Sequence, residues 1–107
     1  MKCQVQYSDD AIKELRKVYW YISVNIGVSH TAAEQYERLE KAIGSLDEMP
    51  YRFRQWETEP WRSRGLRVMG VDNYVVLYVP DDDSMTVTVQ HIFYGGADIE
   101  SRLKDES

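Results

Sequence analysis

The order of apolar and polar positions along the chain changes period twice, and the two changes outline a fold. Gln4-Val5-Gln6-Tyr7 alternates and predicts a short strand. Ser8 then stands as an N-cap, with Asp9 and Asp10 in a first turn where the helix dipole favours acids. Ile12, Leu15, Tyr19, Ile22 and Ile26 recur at helical spacing, and Gly27 closes this first helix. Thr31-Ala32-Ala33-Glu34 has the form of a capping box, and Tyr36, Leu39, Ile43 and Leu46 form a second stripe that ends before Pro50. Asp9/Lys13, Glu34/Arg38 and Glu37/Lys41 are i,i+4 pairs on the solvent sides. Residues 51–62 form an irregular aromatic connection.

Beyond it the period becomes two. Leu66–Met69, Tyr74–Val79 and Met85–Phe93 read as strands, separated by the turn-like Asp72-Asn73 and Asp81-Asp82-Asp83-Ser84. Links this short make the three strands antiparallel neighbours. The last strand is expected to put Val87, Val89, His91 and Phe93 under the helices, and Thr88, Gln90, Ile92 and Tyr94 on a wetter face. Gly95-Gly96 breaks it, and Asp98–Leu103 forms a weak terminal helical turn. The fold class expected is α+β in the order β-α-α-β-β-β, a helical hairpin packed on one face of a small antiparallel sheet.

Composition bounds what such a domain can be. The 107 residues suit one domain, residues 1–107, with a core of its own. Apolar residues at 43% and charged residues at 29% leave no disorder signature. Cys3 has no partner for an internal disulfide and reads as a buried, inert thiol. Met1-Lys2-Cys3-Gln4-Val5 lacks a signal-peptide core and no apolar run reaches membrane-spanning length, so a cytoplasmic protein without membrane contact is expected.

The net charge of −5 argues against general polyanion binding. The charge is uneven, however. Arg52, Arg54, Arg62, Arg64 and Arg67 against Glu57 and Glu59 make a local +3 on a body of −8. Two roles fit these arginines: lining the sheet's open face to grip phosphate or carboxylate, or pairing with the helices and packing over Trp56 and Trp61. There is no phosphate-binding glycine loop, metal-ligand cluster or nucleophile elbow, so neither metal nor cofactor is expected. His30 reads as solvated near a helix start, His91 as a hydrogen-bonded core or strand-end histidine, and Asp81-Asp82-Asp83 as a solvated turn.

Several blocks together resemble the RelE/ParE toxins of bacterial type II toxin–antitoxin systems. They are Val5-Gln6-Tyr7-Ser8, Ala11-Ile12-Lys13-Glu14-Leu15, Leu39 to Leu46 before Met49-Pro50, Pro60 to Arg67, Val71 to Tyr78, and Ile92 to Ile99. The resemblance spans about residues 4 to 103, and it implies a growth-inhibiting toxin neutralised by a cognate antitoxin whose tail folds across it, in a hetero-oligomer. Its two branches differ in chemistry. One cuts mRNA on the ribosome with basic and aromatic residues of the open sheet face; the other inhibits DNA gyrase and lacks that set.

Arg67 and Tyr94 match family positions at strand ends. With Arg64 and His91 they are the catalytic candidates if the chain is a nuclease. The nuclease branch usually carries arginine where Val75 stands, and relatives commonly carry one where Ala97 stands. The absent arginine at Val75 and the acidic charge favour the gyrase-type, target-binding branch. The alternatives are a ribosome-dependent endoribonuclease with a variant residue set, or a non-toxic member kept for antitoxin binding. The aromatic residues Tyr51, Phe53, Trp56 and Trp61 are the candidates for anchoring the antitoxin, the other reading being that they close one end of the core.

Overall fold

A computed structural model describes residues 3–24, 30–95 and 98–104. The expected helix stop at Ile26-Gly27 and the departure at Ala97 lie outside the described residues, as do the side chains of Ile22, His30 and Thr31. Strand β1 (Gln4–Tyr7) leads into helix α1 (Asp9–Val24), followed by α2 (His30–Gly44). Two 3-10 turns, Ser45–Asp47 and Pro50–Arg52, precede β2 (Arg67–Val71), β3 (Tyr74–Asp81), β4 (Thr86–Tyr94) and α3 (Ile99–Lys104). The Ser8 hydroxyl accepts the Ala11 N–H at 3.0 Å, so the cap expected for α1 is present. Helix α2 begins at His30, which puts Thr31 inside the helix and not at its cap.

The sheet order is β1-β4-β3-β2. β2, β3 and β4 are antiparallel neighbours as their short links require, but β1 joins β4 in parallel, pairing Val5 with Val87 and Tyr7 with Val89. The sheet is therefore mixed. A strand that enters a helical hairpin returns to the sheet only by a long crossover, which permits the parallel pairing. The Asp72-Asn73 turn places Asp72 in the left-handed region at φ 52°, and Arg38 on α2 donates to its carboxylate at 2.7 Å.

A second departure matters more for function. β3 pairs Tyr78 with Val89 but Leu77 with His91, so Gln90 is an extra residue in β4. This β-bulge inverts the alternation beyond it. Val87, Val89 and Ile92 face the helices with Met69, Val76 and Tyr78, over Ala11, Leu39, Ile43 and Leu46. His91 and Phe93 turn to the far side, contrary to the expected face, while Ile92 and Tyr94 take the helix side. The far side is not open. Leu66, Val68, Leu77 and Phe93 form a second core there, sealed by Leu103 of α3 and flanked by Trp56 and Trp61.

Helix α1 sits rotated from its expected setting. Ala11 is fully buried and Leu15 and Val18 pack against the core, whereas Ile12 and Tyr19 are exposed. Cys3 is half-buried against the same core and is not fully enclosed.

Candidate functional site

Glu14 is the residue that the helical stripe left unnoticed, and it holds the bulge. Strand β1 covers the outer edge of β4 only as far as Val89. Past that point the Ser8 hydroxyl donates to the Gln90 carbonyl at 2.7 Å, and the Glu14 carboxylate accepts the Ile92 N–H at 2.9 Å. The same carboxylate lies 3.2 Å from His91 Nδ1. An acid one turn beyond Ala11 and one turn before Val18 sits on the inward side of α1, and that is the signal that could have found it. The side chain of α1 thus stands in for the missing strand.

His91, only 6% exposed, stacks on Phe93 with ring centroids 4.8 Å apart, and Arg102 of α3 lies over the other ring at 5.2 Å from its centroid. His91 and Gln90 line a cleft of about 310 Å³ whose walls are Trp61, Val79 and Leu103. Arg64 stands at the same cleft, its guanidinium 5.0 Å from the Trp61 ring centroid. Gly65 adopts φ 86°, the left-handed turn that brings the 60–64 loop back to Leu66 and β2.

Of the four catalytic candidates, this cleft gathers Arg64 and His91 alone. Arg67 pairs with Tyr78 and so lies on the helix side, correcting the expectation that it lines the open face. One terminal nitrogen of its guanidinium donates to the carbonyls of Tyr51 at 3.1 Å and Phe53 at 2.6 Å, with the Tyr51 ring beneath it at 4.8 Å. Tyr94, 61% exposed, meets Tyr74 edge-on at 6.0 Å, four residues along β3 from Arg67's partner, or about 13 Å.

The aromatic connection divides in the same manner. Phe53 packs against the helix-side core, Trp56 and Trp61 against the far-side core, and Tyr51 is the exposed member. Trp56 donates its indole N–H to Thr58 at 3.0 Å, and Thr58 in turn faces Glu100 of α3, so the segment straps the two ends of the far face together. Arg52 donates to the Ser45 hydroxyl at 2.7 Å, and Arg54 meets Glu57 at 3.9 Å. Asp81 accepts the Asp83 N–H at 3.0 Å within an exposed turn. Among the described residues no group of three or more His, Cys, Asp or Glu could hold a metal ion, and no helix is long and apolar enough to cross a membrane.

A cluster of exposed apolar side chains lies elsewhere, on the hairpin. Trp20 (68% exposed) and Tyr19 (58%) project beside Ile12 and, with Tyr7 and Tyr36, form a groove of about 420 Å³ with Arg16 in its wall. Tyr19 and Tyr36 join the two helices edge-on at 5.7 Å. Burial raises the Tyr7 and Tyr36 phenols above their ordinary range, and the nearby Glu40 carboxylate pushes in the same direction.

This arrangement has known counterparts. The family of ParE toxins of type II toxin–antitoxin systems matches residues 5–99, and the chain belongs to that family, as the toxin component. Among curated protein sequences nothing matches. Among solved structures the fold is shared with the chromosomal ParDE toxin–antitoxin system of P. aeruginosa at TM-score 0.64 and 14% identity, covering 87% of this chain and 96% of that one. It is shared with the isolated E. coli RelE toxin at TM-score 0.61 and 17% identity over 97% of both chains. The toxin–antitoxin complex RelBE2 of Mycobacterium tuberculosis gives TM-score 0.61 and 20% identity over 88% of this chain and 92% of that one. Identities this low speak for the architecture alone.

Proposed function

We propose that this toxin arrests growth by binding a protein target, in the manner of the gyrase-inhibiting branch, and not by cutting RNA. The observation that carries this reading is the far face of the sheet. Where a nuclease of this fold needs a row of cations to hold a phosphate, this face carries Val75, Leu77 and Phe93 in a packed core capped by Leu103. Arg67 is turned to the opposite side and its guanidinium holds backbone carbonyls. Among the residues lining the cleft at His91 the one guanidinium is that of Arg64, while Arg102 is engaged over the Phe93 ring. The overall charge of −5 further disfavours docking on ribosomal RNA.

The antitoxin is the second part of the proposal. Its amphipathic tail would lie in the groove of Trp20, Tyr19, Ile12 and Tyr36, where apolar side chains on a helix face stand uncovered. Arg16 in the wall favours an acid on the arriving segment. Relatives of this fold have been solved as complexes with their antitoxins, the intact E. coli RelBE complex among them.

The purified chain tests the branch directly. Inhibition of DNA gyrase supercoiling without ribosome-dependent mRNA cleavage is the expected outcome. Cleavage with supercoiling untouched would transfer the chain to the nuclease branch, with Arg64 and His91 as its residues. Normal growth on induced expression without antitoxin would mark a non-toxic member.

A further inference from the structure

We infer that the cleft between Trp61 and Leu103 is where an acidic, apolar segment of the toxin's protein target docks; the inference rests on the target-binding reading above. At about 310 Å³ the cleft stands at the lower end of small-ligand pockets, with room for one large side chain and its adjoining backbone. Its walls, Trp61, Val79 and Leu103, are apolar, so the group that fills it must be apolar too. Its floor is polar: the bulge at Gln90 delivers both Gln90 and His91 to it, and Glu14 fixes His91 from the other side of the strand. A floor of this kind orients backbone amides of an extended segment.

The sign of the partner follows from Arg64. Its guanidinium lies against the Trp61 ring and, among the described residues, makes no ion pair. A stacked guanidinium is held in one plane with its N–H edges free to donate bidentately to a carboxylate. Three other arginines of this segment are differently engaged, Arg67 on carbonyls, Arg54 beside Glu57 and Arg52 on Ser45, and Arg62 is not among the residues lining the cleft. One guanidinium lining an apolar cleft suits one carboxylate beside one apolar side chain. A nucleic acid would ask for several cations in a row and a basic surround, and the body of this chain is acidic.

The test uses the full chain, isotope-labelled for NMR, and three probes: a blocked tripeptide of phenylalanine between two aspartates, the same tripeptide with lysines, and an RNA hexamer. The acidic peptide is expected to move the resonances of Trp61, Arg64, Gln90 and His91, and to bind at least ~tenfold tighter than the basic one. R64E should weaken it by about tenfold or more, leave the melting temperature unchanged, and abolish growth arrest. Equal or tighter binding of the basic peptide or the RNA would overturn the inference, as would shifts confined to Tyr19 and Trp20, or full growth arrest by R64E. The target-binding reading fails separately, on the wild-type chain, if its growth arrest proceeds by mRNA cleavage.

Discussion

The carboxylate of Glu14 meets Nδ1 of His91 at 3.2 Å across the point where β1 stops and the edge of β4 would otherwise lie bare. The same group accepts the Ile92 N–H, so one side chain of α1 both closes a sheet edge and fixes the bulge that turns His91 to the far face. Removing it leaves a part-buried N–H without its acceptor, a loss of about 1–3 kcal/mol. E14A should lower stability by that amount in urea denaturation, and amide exchange at Ile92 should accelerate. E14Q keeps an oxygen for the Ile92 N–H and should cost less. Unchanged exchange at Ile92 in E14A would show that the contact does not hold the edge.

The same residues explain what was legible in the chain and what was not. Tyr36, Leu39 and Ile43 repeat at 3.6 residues, and Tyr74 to Val79 are continuous β-formers, so the helices and strands could be read directly. The parallel pairing of β1 could not, because residues 4–7 and 86–89 are joined by register and no local pattern encodes it. The bulge carries no glycine or proline. Its trace is a spacing of two from Val87 to Val89 and three from Val89 to Ile92, with a histidine at the position that strict alternation assigns to the core. One inserted residue changed the face of every side chain after it, and with it the composition of the candidate site. The rotation of α1 has the same character: Ala11, the small residue, is fully buried in the core against the sheet, and Ile12 and Tyr19 are released to the groove.

Tyr78 gives the fold an alkaline limit. Its side chain is fully buried and donates to the Pro50 carbonyl at 2.6 Å. Burial pushes its phenol up to about 12, although the positive charges of Arg67 and Arg52 pull the other way. A group held protonated in the fold contributes stability that is complete below the unfolded tyrosine value of about 10 and is lost as pH rises towards 12. Y78F should cost about 1 kcal/mol at neutral pH, by denaturant melts, for the lost hydrogen bond. The gap between wild type and Y78F should then close and reverse its sign between pH 10 and 12. A gap that stays constant across that window would contradict the assignment.

Trp20 should separate folding from antitoxin binding. It is largely exposed on α1, and surface changes away from packed features usually alter stability by less than about 0.5 kcal/mol. Large aromatics at the centre of an interface commonly carry much of its affinity. W20A is therefore expected to melt like the wild type and to bind its antitoxin roughly tenfold or more weakly by calorimetry. Wild-type affinity in W20A would move the antitoxin off this groove, and Tyr51 would become the exposed aromatic to examine next.

Arg67 is where a structural and a functional role predict different things. Its guanidinium donates to the carbonyls of Tyr51 and Phe53 and lies over the Tyr51 ring, so it ties the 51–53 segment to the start of β2. Hydrogen bonds from a charged donor contribute more than neutral ones, and R67A should cost about 1.5–3 kcal/mol. R67K can reach one carbonyl but cannot reproduce the planar stack, so it should recover only part of that loss. If the role is to hold the segment, growth arrest by R67A should return at low temperature, where the weakened fold is still populated. A variant that melts like the wild type yet fails to arrest growth at any temperature would restore Arg67 to the functional site and remove one of the geometric arguments against a nuclease.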